Sequence, residues 1–292
     1  MRFWDAKPVP PPDLLLKRRI WIVADDYGIS RAVNAAIRDL LERGAINATS
    51  VMVVASGFDE EEAEGLLTLR RHHAIAIGLH LTLSAPFRPL SRGYMPIRHE
   101  QFLSLRRTLI ASLLHQLNAA ALTAEIAAQI ARFTAVFGRP PDFIDGHQHV
   151  QLFPLIGSCT LAVMRQSVPH AWVRQCGRAE RAPSDRKALF LDLLSRRFQA
   201  RARAAGVRTN PAFAGTYDFR PQANFANLFP AFLDGLPDGS VIMCHPGSVD
   251  AELVRNDALT DLREREYAYF KSDTYRMLLA QRGYALRTPE EA

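Results

Sequence analysis

The feature that most constrains this chain is a repeated succession of short, near-continuous apolar runs, each followed by a helical pattern. Ile20 to Ala24 is the first such run. After it, Ser30 offers an N-cap, and Val33, Ile37, Leu40 and Leu41 recur at helical spacing until Gly44 stops the pattern. Thr49 to Ala55 and Ala74 to Leu81 read as the second and third strands, with an acidic helix over Phe58 to His72 between them. A loop spans Leu83 to Met95, a helical insertion is expected over Arg98 to Leu117, and Thr123 to Phe137 reads as an amphipathic helix ended by Gly138 and Pro140. Further strands are expected at Phe143 to Asp145, Trp172 to Cys176, Val241 to Cys244 and Tyr284 to Arg287. Strands that alternate with helices imply a parallel sheet. Apolar runs without polar alternation imply a sheet covered on both faces or closed on itself. The expected class is therefore α/β, a TIM-like (β/α)-barrel variant, with a Pro-rich arm over residues 1–18 and one domain over 19–292.

Composition removes several other classes. The chain has 292 residues, 48% hydrophobic and 23% charged, which is ordinary for a globular protein and wrong for a disordered chain or a fibre. No apolar run approaches the roughly 18 residues that span a bilayer, so no transmembrane segment is expected. The net charge is +6, and of 36 basic residues only four are lysines, which leaves 32 arginines. An anionic partner is one reading of that excess, and a compositional bias is the plainer one. No basic run interleaves with aromatics as a nucleic-acid platform requires, so nucleic acid is not expected as a partner. Cys159, Cys176 and Cys244 are too few and too scattered for a disulfide framework, and read as reduced core residues of a cytoplasmic protein.

What stands at the strand ends is chemical. The first strand runs into Asp25-Asp26-Tyr27-Gly28, the third into His80, the next into Asp145-Gly146-His147-Gln148-His149, and a late one into His245-Pro246-Gly247. In parallel barrels the carboxyl ends of all strands share one face, where active sites are built. Each run alone has a bland explanation: an Asp pair caps a helix, and a histidine before Pro-Gly begins a turn. Their joint placement at strand ends has none. Period two would point His147 and His149 to the same face. Carboxylate with imidazole suits a divalent ion, Zn²⁺ first, with Co²⁺, Ni²⁺ or Mn²⁺ next and Mg²⁺ less comfortable. Three protein ligands with one open position form the catalytic pattern, the open position holding a water whose pKa falls to about 7. Spacing does not say which aspartate binds the ion, because adjacent strand residues point to opposite faces.

The motifs Ala24-Asp25-Asp26-Tyr27-Gly28, Ile77-Gly78-Leu79-His80, Asp145-Gly146-His147-Gln148-His149 and Met243-Cys244-His245-Pro246-Gly247 resemble, in the same order, those of the YdjC-like carbohydrate deacetylases. The resemblance runs from Ile20 to the Gln281–Tyr284 segment. It implies a barrel related to the polysaccharide deacetylases and removal of an N-acetyl group from an amino sugar, on an oligosaccharide or a glycolipid. By position it implies Asp26, His80 and His147 as metal ligands, Asp25 as general base and His245 as acid or oxyanion partner. Arg174, His149, Asn210 and Tyr217 are weaker candidates for supporting the site or meeting substrate. Arg174 is a candidate partner of Asp25, and Phe213, Tyr217 and Phe219 could stack on a sugar. Two departures stand out: Val241 where relatives often carry glutamate, and Gln151 where many show a third histidine. The alternatives are a metal-dependent hydrolase of a phosphoester or cyclic amide, and a non-catalytic anion-binding protein using the arginines. A homo-oligomer is compatible with all of them.

Overall fold

The computed structural model describes residues 18–179 and 186–291. The expected N-terminal arm lies outside the described residues up to position 17, and Arg18 already belongs to the first strand, β1 (Arg18–Tyr27). There follow α1 (Arg31–Glu42), β2 (Ala48–Val51), α2 (Glu60–His72), β3 (Ala76–Leu81), β4 (Ile97–Arg98), β5 (Gln101–Phe102), α3 (Leu105–Leu113), α4 (Ala119–Phe137) and β6 (Phe143–Gly146). A 3₁₀ segment over His147–Leu152 leads to α5 (Pro154–Ser167) and β7 (Trp172–Val173). Then come α6 (Arg186–Ala204), β8 (Phe213–Ala214), α7 (Phe225–Phe232), β9 (Val241–Cys244), α8 (Ala251–Asn256), α9 (Asp261–Phe270), α10 (Asp273–Gln281) and β10 (Tyr284–Leu286).

The main sheet is parallel, in the order β7-β6-β3-β2-β1-β9-β8, with β10 beside the start of β1. It curls until its edges meet. Val173 bridges Thr209 in parallel, Val173 N donates to Arg208 O at 2.9 Å, and Phe213 N donates to Gly177 O at 3.0 Å. The α/β barrel variant expected from the sequence is the fold observed. Every residue of β2, β3, β6 and β9 is buried, as a sheet with helices outside and side chains within requires. α1 follows the expected code: the Ser30 hydroxyl caps Val33 N, and Val33, Ile37, Leu40 and Leu41 are buried.

Several boundaries differ from expectation, each for a local reason. β2 stops at Val51 because Met52 to Ala55 turn, with Ala55 N donating to Met52 O. The helical insertion begins only at Leu105. Ahead of it, Phe102 N donates to Phe87 O and Ala85 N to Leu103 O, which holds 101–103 extended, and β4 and β5 form a small hairpin. β7 is shorter than expected because the next backbone groups are taken by side chains. Gln175 N donates to Asn210 Oδ1 at 2.9 Å and Cys176 N to Ser195 Oγ at 2.8 Å. α4 starts four residues early, capped by Asn118. By length (19 residues) and mean hydropathy (1.2 over an 18-residue window) α4 also passes as a membrane span, which the sequence reading did not anticipate. Its buried Glu125 and Gln129 accept from the backbone N–H groups of Leu90, Ser91 and Thr82, contacts made to protein. The three cysteines are free and buried, as expected.

Candidate metal centre

β1 ends in a backbone irregularity that solves the problem of two adjacent aspartates. Its register on β2 shifts between Ala24 and Tyr27, and Asp26 takes φ 68, the left-handed region that side-chain-bearing residues seldom occupy. Strict alternation is thereby broken, and both carboxylates stand buried at the carboxyl rim, each 2% exposed. His80 arrives from β3 and is the register partner of Asp145 on β6.

Asp26 Oδ1 lies 3.1 Å from His80 Nε2 and 2.9 Å from His147 Nδ1. One atom from each of the three residues falls within 4.8 Å of the others. His80 Nδ1 faces Asp145 Oδ1 at 2.7 Å and Ser50 Oγ at 3.0 Å. A carboxylate only accepts, so Nδ1 carries a proton toward Asp145, and Nε2 is the ring atom that faces Asp26, able to ligate an ion once its own proton has left. A carboxylate behind a ligating histidine is the usual support of a metal site. The donor set of one carboxylate oxygen and two imidazole nitrogens, buried and convergent, fits a borderline divalent ion.

The surrounding charges are balanced in pairs. Arg174, fully buried, forks onto Asp25 with Nη1–Oδ2 2.7 Å and Nη2–Oδ1 2.6 Å, and its Nη2 also meets Asp145 Oδ2 at 2.5 Å. Arg263 Nη2 bonds Asp26 Oδ2 at 2.6 Å and Asp257 Oδ2 at 2.6 Å, leaving Asp26 Oδ1 to the histidines. Burial pushes the Asp26 carboxyl up, but Arg263 and His147 outweigh it and hold the group well below the usual carboxylate range. Burial lowers His80, and the opposing pull of Asp145, with Asp25 and Asp26 behind it, carries it to about 10. A site that so favours positive charge at His80 is one a cation can occupy.

His245, at the end of β9, is half-buried, with its Nδ1 buried and without a partner among the described residues. Burial, aided by Arg263, lowers its pKa against the pull of Asp26, so the ring is neutral. Its backbone N donates to Glu266 Oε2 at 2.5 Å, and Tyr217 Oη donates to Glu266 Oε1 at 2.6 Å. Tyr217 lies 4.1 Å from Phe219 between ring centroids, and Phe219 stands edge-on to His245 at 5.6 Å. These rings form a half-exposed wall beside His245. At Val241 the chain is apolar and buried, and the carboxylate beside His245 comes from α9 instead. Gln151 is buried and donates to the Arg174 carbonyl at 3.1 Å.

Of the other sequence candidates, Arg174 does pair with Asp25. Asn210 does not present itself to a ligand. Its side chain accepts from Gln175 N and donates to Gln175 O and Ala212 O, stitching the sheet edges together. His149 is not on the same strand face as His147. Gln148 and His149 both take positive φ (55 and 60) within the 3₁₀ segment, so period two does not apply. The His149 ring meets Cys176 Sγ at 3.5 Å and the edge of Phe213, and burial with Arg174 lowers its pKa to about 3. Sequence reasoning missed the roles of Arg263, Asp257, Glu266 and Ser50 beside these groups. Asp145 lies inside one of the strand-end motifs, and its pairing with His80 follows once β3 and β6 are neighbours.

Residues 19–281 match a family model described as YdjC-like protein. A chitooligosaccharide deacetylase of Yersinia pestis (strain Pestoides F) is 28% identical over 275 residues, covering 93% of this chain and 98% of that relative. Among solved structures, a candidate cellobiose-phosphate cleavage protein of Enterococcus faecalis superposes with a TM-score of 0.72 at 23% identity, covering 94% of this chain and 98% of that one. A lactam utilization protein of Thermus thermophilus reaches 0.50 at 14% identity, covering 92% and 99%. These two likenesses are likenesses of fold.

Proposed function

The chain belongs to the YdjC-like family, and on that premise we propose that it is a metal-dependent hydrolase removing the N-acetyl group of an amino sugar carried by an oligosaccharide or glycolipid. The observation that carries this reading is the convergence of Asp26, His80 and His147 at the carboxyl rim, with Asp25 beside them and His245 following Cys244, the register partner of Ala24. The name of the Yersinia relative points to the same bond. We assign the ion to Asp26 Oδ1, His80 Nε2 and His147 Nδ1, with Zn²⁺ first and Co²⁺, Ni²⁺, Mn²⁺ or Mg²⁺ as substitutes. An ion held there supplies polarisation of the amide carbonyl and a more acidic water.

The remaining work falls to the chain. Asp25, oriented through both oxygens by Arg174, takes the proton of the attacking water. Neutral His245 offers one N–H donor, suited to the oxyanion that develops on the carbonyl oxygen. To protonate the departing amine it must first receive a proton, and Asp25 is the nearby holder of one. The Phe219 ring beside His245 is placed to take the apolar face of a sugar.

The test is acetate release from N-acetylglucosamine oligomers by the metal-loaded protein, abolished by chelation and restored by Zn²⁺. Asp25→Asn should retain the metal and lose roughly 10²–10⁴-fold in kcat. His80→Ala and His147→Ala should lose the metal itself by elemental analysis. Phosphate release in place of acetate, or undiminished turnover by Asp25→Asn, would overturn the assignment.

A further inference from the structure

The segment between β3 and α4, residues 82–118, has an unusual surface. It carries five arginines against one carboxylate, Glu100, and no lysine or aspartate. Arg88 pairs with Glu100 at 3.0 Å, whereas Arg92, Arg98, Arg106 and Arg107 are exposed and make no ion pair among the described residues. On α3 and its C-cap Leu114, residues Arg106, Arg107, Ile110, Leu113 and Leu114 fall at helical spacing on one outward strip. Ile110 is 43% exposed, Leu113 47% and Leu114 60%, while the residues α3 buries are Thr108, Ala111 and Ser112. Leu105 and Leu109 pack half-buried against the core, so the outward strip is a second apolar face, one that an amphipathic helix does not ordinarily turn to water. The hairpin adds Met95, 57% exposed, and Ile97 next to Arg98. This insertion leaves the sheet at the carboxyl end of β3, and its Phe87 stands edge-on to His147 at 5.6 Å. The apolar, basic surface thus belongs to the segment that borders the metal centre.

We propose that the 82–118 insertion docks on an anionic lipid bilayer, with the outer face of α3 in the headgroup region. Ile110, Leu113 and Leu114 enter the acyl boundary, as in interfacial amphipathic helices, while Arg106 and Arg107 meet lipid phosphates. A second copy of the chain would cover the apolar strip but set the same unpaired arginines against each other. A nucleic acid would pair the arginines but leave the leucines in water. An anionic membrane surface matches both the apolar strip and the arginines beside it.

The experiment is co-sedimentation of the full chain with phosphatidylcholine vesicles containing about 30% phosphatidylglycerol, against phosphatidylcholine alone. Binding is expected to the anionic vesicles, weakened by salt because screening shortens the reach of the arginines. The pair Ile110→Asp and Leu114→Asp should weaken it by about tenfold or more. The pair Arg106→Glu and Arg107→Glu should weaken it similarly, with circular dichroism melts showing both variants folded. The proposal falls if anionic vesicles are not bound or if both variants bind like the parent. It falls equally if sedimentation equilibrium shows a dimer that the aspartate variant dissociates.

Discussion

Glu266 shows how a single buried group shapes this site. It is fully buried on α9, accepting from Tyr217 Oη and His245 N. Burial raises its pKa to about 7, against the hydrogen bonds from Tyr217 and His245 and the charge of Arg263. A carboxyl raised on folding favours the native state below its unfolded pKa and loses that contribution as pH climbs through the folded value. Between about pH 4.5 and 7 the parent protein therefore becomes less stable with rising pH through this group. Glutamine can still accept from His245 N while its amide faces Tyr217 Oη, but it does not titrate. The melting gap between Glu266→Gln and the parent should thus move in the variant's favour from pH 5 to pH 8, by on the order of 2 kcal/mol. A gap that stays flat with pH would show that Glu266 keeps one protonation state throughout. None of this was legible beforehand. Asp261 to Glu266 reads Asp-Leu-Arg-Glu-Arg-Glu, which has the look of a solvated helix face, and nothing local separates the buried Arg263 and Glu266 from the exposed Glu264 and Arg265.

At the level of elements, the strands were legible where burial dictated them and illegible where pairing alone did. β1, β3, β6 and β9 are apolar runs with no polar alternation, and their functional residues follow at once. β8 has two residues and exists because Phe213 N reaches Gly177 O and the ladder to β9 continues. The hairpin β4–β5 pairs residues only three to five positions apart, and the bond from Phe102 N to Phe87 O helps to hold β5 extended. The left-handed turns at Asp26 and at Gln148–His149 left no glycine to mark them, so the face of each side chain was not readable from period two. One element-level packing demand can be tested directly. Gly78 lies two residues before His80 on β3, and a Cβ there would overlap the Phe143 ring of β6. Neither group can retreat within a ladder that also aligns His80 with Asp145. Gly78→Ala should cost about 1–3 kcal/mol in denaturant unfolding. It should also weaken metal affinity, since the β3–β6 register positions the Asp145 that supports His80. Unchanged unfolding midpoint and unchanged affinity would mean that Phe143 has room to move.

The whole molecule brings together, at one rim, residues separated by more than two hundred positions, from Asp25 to Arg263. That convergence couples the centre to global stability. β1, β3 and the segment after β6 each contribute one proposed ligand, and Arg263 ties Asp26 to α9. An unfolded chain offers no such arrangement, so an ion that binds here binds the native state and stabilises it through mass action. At an ion concentration a thousandfold above its dissociation constant the gain is about 4 kcal/mol. Zn²⁺ should therefore raise the melting temperature of the chelator-treated protein by several degrees, since about 1 kcal/mol moves a domain of this size by roughly 2–4 °C. Two substitutions separate this from nonspecific binding. His147→Ala removes a ligand and should abolish the rise, whereas Arg282→Ala, at an exposed ion pair with Asp234, should leave it intact. A rise of equal size in His147→Ala would place the ion elsewhere and leave Asp26, His80 and His147 as a hydrogen-bonded cluster.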